Sequence, residues 1–458
     1  MKIKILETYD HPVLGNLKLD FTNEKGEVSD TVIFAGDNGC GKTTILNILA
    51  DFTNPGIKQN PSGNHINYLY SGKIHFCIVL SEEEMDVFKE HPDTKGAFHS
   101  GVKKNELNVE INYETQNWDQ IKVTVTDQLG CIQRIPGNLL GQEKIKQLFK
   151  AIYSTTEVNF APTNIQSTTA RDVDESIVGP KRSSPALATE ITQLLVDISS
   201  VDDAEVGRWV RNNPGQVAPA AISDRRMKRF SKAFHQIFPH KKLVGVETQN
   251  NQKIVIFKEN KRESDINQLS SGEKQIVFRG GFLLKDINST KNAIVLVDEP
   301  EISLHPKWQQ KILEFYRNLF RDEKKKQTAQ IFIATHSPYI IQSAKNTCVC
   351  ILKKNHDGVI HSISRRKFFG WTPDQLTIHA FGLSNLRPDE VEEDLKKLKI
   401  LLRDMKAGEV EKNKSKYDRL YKKLSEELIG DDSDLLGAHI NNMLEEIKNR
   451  LNQLDEED

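Results

Sequence analysis

The stretch Val32-Ile33-Phe34-Ala35-Gly36-Asp37-Asn38-Gly39-Cys40-Gly41-Lys42-Thr43-Thr44 decides how the chain is read. Its first four residues are apolar and make a short, buried-type strand. Gly36 to Gly41 form a glycine-rich turn, and Ile45, Leu46, Ile48 and Leu49 supply the apolar face of a helix behind it. The spacing G-x-x-x-x-G-K-[ST], set between a strand and a helix, is that of a phosphate-binding loop. Glycines let backbone N–H groups close around phosphate oxygens, and the helix N-terminus adds partial positive charge. Gly36, Asn38, Gly39, Cys40, Gly41, Lys42, Thr43 and Thr44 are therefore the candidate nucleotide-binding residues. Lys42 is expected to reach the β and γ phosphates of ATP, and the Thr43 hydroxyl to ligate Mg²⁺.

Three downstream strings extend the site. In Ile294-Val295-Leu296-Val297-Asp298-Glu299-Pro300 a buried strand delivers two carboxylates to its end. Asp298 suits the Mg²⁺ shell, and Glu299 suits a general base on the attacking water. Leu269-Ser270-Ser271-Gly272-Glu273-Lys274-Gln275 resembles the signature motif of ABC-type ATPases, usually Leu-Ser-Gly-Gly-Gln. Here Ser271 and Glu273 stand at the third and fifth places, as is common in the DNA-associated branch. Ser270 and the Gly272 backbone at a helix start can meet a γ-phosphate, so Ser270, Ser271, Gly272 and Glu273 join the nucleotide set. In Ile331-Phe332-Ile333-Ala334-Thr335-His336-Ser337-Pro338, His336 resembles the switch histidine that contacts the γ-phosphate and attacking water. Glu299 and His336 are thus the expected catalytic pair. Glu301-Ile302-Ser303-Leu304-His305-Pro306 resembles the D-loop, which crosses to a partner subunit. Asn164-Ile165-Gln166 falls in the Gln-loop interval, making Gln166 a third candidate metal contact beside Thr43 and Asp298. Tyr9 and His11, in an N-terminal hairpin, are candidates for stacking on adenine.

The resemblance implies a homodimer of heads, with assembly into a higher oligomer expected. In ABC-type ATPases the P-loop of one head faces the signature of the other, so ATP is held by both chains across an isologous interface. The interval between Lys42 and Ser271 is too long for a transporter cassette, and its proline-broken helices do not suit the long coiled coil of SMC-type ATPases. OLD-family nucleases share the strings Ser-Ser-Gly-Glu-Lys-Gln and Asp-Glu-Pro-Glu-x-x-Leu-His-Pro, but continue into a C-terminal Toprim domain. After His336 this sequence reads as mostly helical, with no strand ending in an Asp-x-Asp pair, so no nuclease centre of its own is expected. The chain then resembles, over residues 1–367, OLD-like ATPases of the Septu anti-phage defence type. In those systems a separate HNH-type nuclease subunit supplies cleavage and DNA is met through the complex. A retron-associated defence ATPase and a stand-alone SMC-like DNA-repair ATPase are the alternatives.

The expected fold class is α/β. Residues 1–166 and 243–367 form the two parts of an ABC-type ATPase head, with a P-loop sheet core and antiparallel N-terminal strands. Residues 167–242 form a helical insertion lobe, and 368–458 an all-α C-terminal interaction region. Strands are predicted at Ile3–Leu6, Leu17–Phe21, Ile74–Leu80, Leu107–Asn112, Ile121–Val125, Leu243–Val246 and Lys253–Phe257. Pro180, Pro185, Pro214 and Pro219 punctuate the lobe. Three amphipathic helices follow Arg366: one through Leu395, Leu398, Leu402 and Met405, one through Tyr417, Leu420, Leu424 and Leu428, and one through Ile440, Ile447, Leu451 and Leu454, with breaks at Gly408 and Gly430.

Charge adds limits. Lys and Arg total 63 against 64 Asp and Glu, a net −1 over 458 residues, which excludes a generic DNA-coating protein. Arg225, Arg226, Lys228, Arg229 and Lys232 form one cationic cluster, either a solvated helix face or a phosphate-facing stripe. The acid-rich end, Asp431 to Asp458, favours a basic protein partner over DNA. No apolar run approaches the roughly 18 residues of a membrane span, and the start shows no signal-peptide pattern. None of the five cysteines forms a Cys-x-x-Cys pair, so neither a zinc site nor a disulfide framework is expected. A cytoplasmic protein with no membrane contact is the expectation.

Overall fold

The computed structural model describes residues 1–53, 72–94, 101–112, 121–154, 167–168, 187–219, 222, 226–281, 292–321, 326–364, 368–383, 385–406, 410–428, 437 and 440. The chain divides into two compact units, Met1–Leu376 and Thr377–Asp458.

The strand before the P-loop, β3 (Thr31–Gly36), lies inside a six-stranded sheet. The order is β15 (Ile360–Ser364), β14 (Cys348–Lys354), β3, β13 (Gln330–Thr335), β12 (Ile294–Asp298), β8 (Ala151–Ser154). All neighbours are parallel except β15, which closes the edge antiparallel. Every residue of β3, β12 and β13 is buried. That is why these strands read as unbroken apolar runs: a parallel sheet is covered on both faces and has no solvent side to alternate toward. The register pairs Asp298 with Ala334 and Thr335 with Ala35. Gly36, Asp298 and Thr335 therefore end at one edge, the carboxyl end of the sheet, where open α/β sheets place their ligands.

A second six-stranded sheet is antiparallel throughout. Its order is β2 (Gly15–Asp20), β1 (Lys2–His11), β4 (Lys73–Val79), β5 (Glu106–Asn112), β6 (Ile121–Thr126), β7 (Ile132–Ile135). A register shift between Ile3 and Ile5 explains why Ile3 and Leu6 are both buried although three residues apart. The two sheets and the Lys42–Phe52 helix share one core. Phe21, Phe34 and Phe332 meet within it at ring-centroid distances of 5.2–6.0 Å.

The Leu187–Asn212 helix, within the first unit, runs unbroken for 26 residues between Pro185 and Pro214. With the Arg226–Ile237 helix it packs near a three-stranded antiparallel sheet, β9 (Lys241–Gln249), β10 (Gln252–Glu259) and β11 (Arg262–Asp265). Phe234 touches Phe238 and Phe257 there.

In the second unit the Asp389–Lys406 and Val410–Glu427 helices pair. They bury Leu395, Leu398, Leu402, Tyr417 and Leu424, as the heptad-like spacing predicts. Asp394 accepts from Lys397 at 3.0 Å and from Lys423 at 2.8 Å, joining the two helices. Gly408, Gly430, the core positions expected for the third helix after Ile440 and the acids of Asp431–Asp458 lie outside the described residues. Among the described residues no helix is long and apolar enough to cross a membrane.

Five strands were not legible: β7, β8, β11, β14 and β15. Between His336 and Arg366, within the span expected to complete the head, the chain carries β14 and β15. The signal in β14 was the apolar run Cys348 to Leu352, buried like its neighbours.

Candidate nucleotide site

The P-loop is shaped by two close approaches. Gly36 has φ 145°, and a Cβ there would lie 2.1 Å from the Leu352 carbonyl oxygen of β14. Gly41 caps the helix in the left-handed conformation, φ 88°, with Leu14 Cδ2 only 2.5 Å from where a Cβ would be. Neither position can carry a side chain without moving its neighbour.

Lys42 is buried, and its ammonium donates to the carbonyls of Gly36 and Asp37, both at 2.9 Å. The same Nζ lies 3.4 Å from His336 Nδ1. Lysine can only donate, so Nδ1 is the acceptor and the ring proton sits on Nε2. Nε2 in turn lies 3.1 Å from Glu299 Oε1. A chain Lys42–His336–Glu299 results, running from the P-loop to the expected general base. Burial pushes the His336 pKa down, the Lys42 charge adds to this, and Glu299 opposes it. Glu299 itself has φ 45°, a left-handed backbone that is uncommon outside glycine and tends to cluster at functional sites.

Asp298 is 3% exposed. Its Oδ2 accepts from Thr43 Oγ1 at 3.0 Å, and its Oδ1 has no hydrogen-bond partner among the described residues. Burial raises its pKa, partly offset by the Thr43 bond. Magnesium at a P-loop needs one hydroxyl and one carboxylate, with phosphate and water oxygens completing the shell. The Thr43 hydroxyl beside an unsatisfied Asp298 oxygen fits that demand. No cluster of three or more metal-ligating side chains occurs among the described residues, and none is required for this mode.

Two residues of the site were missed by sequence reading. Arg279, on the Ser271–Gly281 helix, is fully buried and donates Nη1 to the Asp298 carbonyl at 2.6 Å. Gln275, one turn earlier, accepts from its Nε and Nη2 at 2.8 and 3.0 Å when its amide is oriented toward it. The signature helix is thereby tied to the acidic strand. Glu301 is the other. The D-loop reading sends it toward a partner, yet its carboxylate is buried against its own switch strand. Oε1 accepts from Thr335 Oγ1 at 2.8 Å and from the His336 amide at 2.5 Å. Burial pushes its pKa up, against the bonds from His336 and Thr335.

The signature residues bond chiefly among themselves. Ser270 N and Oγ donate to Glu273 Oε2 at 2.8 and 3.0 Å, an S-x-x-E cap at the helix start. Glu273 Oε1 is held by Lys241 at 2.7 Å. Gly272 abuts the D-loop, where a Cβ would fall 2.7 Å from the Ser303 carbonyl oxygen. Gln166 and Arg225 lie outside the described residues, and Lys232 is exposed. His11 is buried and accepts the amides of Val13 and Leu14 through Nδ1, both at 3.1 Å, so it shapes the hairpin turn and offers no face to a base. Tyr9 is exposed and bonds Glu7 at 2.9 Å.

Glycine loop, lysine, hydroxyl and strand-end acids at one sheet edge define the class: the chain is an ATP-binding P-loop ATPase with an α/β head. Residues 218–341 match the family model described as AAA ATPase domain, a span holding the signature, Asp298, Glu299 and His336. The chain is similar to the Retron Vc95 probable ATPase of Vibrio cholerae serotype O1 biovar El Tor, 23% identical over 77% of this chain and 74% of that protein. It is similar to the Retron Ec83 probable ATPase of Escherichia coli, 22% identical over 74% of this chain and 69% of that one. It also aligns with the Septu protein PtuA of Bacillus thuringiensis, 28% identical over 26% of this chain and 32% of PtuA, about a third of that protein's length. Among solved structures, the Smc head domain bound to the C-terminal domain of ScpA from Pyrococcus furiosus superposes with TM-score 0.44 at 12% identity, over 80% of this chain and 96% of that one.

Proposed function

We propose that the chain hydrolyses ATP as the regulatory subunit of an anti-phage defence complex, dimerising head to head around the nucleotide and controlling a separate HNH-type nuclease subunit that cleaves DNA. The observation that carries the catalytic part is the Lys42–His336–Glu299 chain set beside the Thr43–Asp298 pair. In this reading the P-loop amides and Lys42 hold the phosphates. Thr43 and Asp298 hold Mg²⁺, which supplies charge neutralisation on the phosphate oxygens when bound. Glu299 takes a proton from water as the water oxygen bonds to the γ-phosphorus and the bond to ADP breaks. His336, neutral because burial lowers its pKa, keeps Glu299 oriented through Nε2–H. Ser270 to Glu273 would meet the ATP of a second copy. The defence assignment rests on the names of the relatives. The helices of 368–458 are the proposed docking region for the nuclease or for further copies of the ATPase.

Two measurements test this. Turnover should be present in the wild type and fall about 10²–10⁴-fold in Glu299→Gln with ATP binding retained. Equal turnover in the two removes hydrolysis from the function. Co-purification with the product of the neighbouring gene, with and without ATP, should give a complex that cleaves DNA. Cleavage by this chain alone would instead favour a self-sufficient enzyme.

A further inference from the structure

The turn that follows Glu299 is fastened to the switch strand at two points. The first is Glu301, which takes the Thr335 hydroxyl and the His336 amide on one oxygen. The second lies three residues on: Leu304 O accepts from Gln309 Nε2 at 2.8 Å, and Gln309 Oε1 accepts from Ser337 Oγ at 2.6 Å. Ser337 N closes the set on Thr335 Oγ1 at 2.9 Å. The three residues gripped in this way, Thr335, His336 and Ser337, are consecutive, and the middle one carries the imidazole between Lys42 and Glu299.

The Glu301 side of this arrangement is costly. Its Oε2 is buried without a hydrogen-bond partner among the described residues. A buried carboxylate left half-satisfied lowers stability, so burial for its own sake does not account for it. The turn between the two tethers is set up to be moved from outside. Ile302 is exposed at its crest, Ser303 is in the left-handed region at φ 62°, and the Ser303 carbonyl is the atom against which Gly272 of the signature helix packs.

We propose that Glu301 and Gln309 are positioning residues that set His336 against Glu299 and Lys42, and that through them a displacement of the 301–304 turn is passed to the switch histidine. The kinetic consequence rests on the ATPase reading above; the structural coupling does not. A shift of about 1 Å suffices, since a misplacement of that size at a reacting group can cost about 100-fold in rate.

The test uses the full chain with Glu301→Ala, Glu301→Gln, Gln309→Ala, His336→Ala and the Glu301→Ala/His336→Ala double variant. Hydrogen exchange read by mass spectrometry at the His336 amide is expected to quicken at least about tenfold in Glu301→Ala, while the amides of Ile331 to Ala334 stay protected. Glu301→Gln, which keeps an acceptor oxygen, should recover most of the protection. ATP affinity should hold within about threefold while kcat falls about 10- to 100-fold in Glu301→Ala and, to a smaller extent, in Gln309→Ala. On a His336→Ala background Glu301→Ala should add less than about threefold, because a residue acting through the histidine has nothing left to act on. Unchanged exchange at His336, or losses that multiply in the double variant, would overturn the proposal. If the wild type shows no turnover, the ATPase reading falls and the exchange measurement alone decides. If Glu301→Ala does not fold, Gln309→Ala, alone and on the His336→Ala background, carries the kinetic comparison.

Discussion

Replacing Thr43 by valine changes one atom group of nearly equal volume and removes one hydrogen bond. That bond, Thr43 Oγ1 to Asp298 Oδ2 at 3.0 Å, is the only side-chain hydrogen bond to the Asp298 carboxylate among the described residues, since Oδ1 has no partner. Asp298 is 3% exposed, so water replaces the hydroxyl only poorly. Stranding a buried acceptor costs about 1–3 kcal/mol, with charged groups at the upper end. Two effects should follow. The nucleotide-free protein loses about that much stability in a denaturant titration. The Asp298 pKa, already raised by burial, rises further, so a proton competes with Mg²⁺ for the carboxylate. With tenfold in affinity per about 1.4 kcal/mol, the Mg²⁺ midpoint for binding a fluorescent ATP analogue should rise about tenfold or more. A raised carboxyl pKa means more protonated acid at a given pH, so the deficit should grow as pH is lowered from about 8 to about 6. Thr43→Ser keeps the hydroxyl and should stay near wild type on all three measures. Equal Mg²⁺ midpoints and equal stabilities for the valine and serine variants would refute the reasoning.

Other outcomes are equally definite. Because His336 is pushed below the ordinary histidine value of 6.5 by burial and Lys42, its neutral form persists into mild acid, and the acid limb of the kcat profile should have its midpoint below 6.5. An acid limb centred above that value would refute the lowered histidine pKa, and activity that instead falls as pH rises through the histidine range would show that the protonated ring is the working form. Gly272→Ala puts a Cβ 2.7 Å from the Ser303 carbonyl oxygen and 3.1 Å from the Trp308 ring. The D-loop must then yield by about 0.7 Å, and overpacking of this kind costs about 1–3 kcal/mol in a denaturant titration; no loss of stability would mean the contact is slack. In the second unit Leu398 is fully buried between the paired helices. Leu398→Ala should lower the stability of that unit by about 2–5 kcal/mol, read from its helical circular-dichroism transition, and an unchanged midpoint would argue against the pairing.

How much was legible follows from how local each signal is. The P-loop, the acidic strand end and the switch histidine each need only a strand, a turn and one or two side chains, so contiguous residues announce them. Their assembly at one edge follows from the parallel register. Arg279 and Glu301 were not legible because their roles are made of partners far along the chain: the Asp298 carbonyl for one, the His336 amide for the other. A charged residue inside an amphipathic helix or a D-loop string reads as solvated until the structure buries it. The same holds for β8 and β15, short segments that become strands through sheet neighbours supplied from elsewhere in the chain. His11 shows the reverse case, since its place in a hairpin suggested a base-stacking face and its burial under the turn removed it.

By itself the sequence picked out the candidate groups: a phosphate loop, two acids and a histidine, each held in a pattern whose spacing is set by backbone geometry that neighbouring residues dictate. Only the tertiary structure decided which atoms of those residues are satisfied. Among the described residues Asp298 keeps one oxygen without a hydrogen-bond partner, Lys42 and Glu299 share His336 between them, and Glu301 turns inward to hold it. The reason is physical: a hydrogen bond between residues hundreds of positions apart depends on sub-ångström placement by the packed core, and local sequence pattern carries no such coordinate.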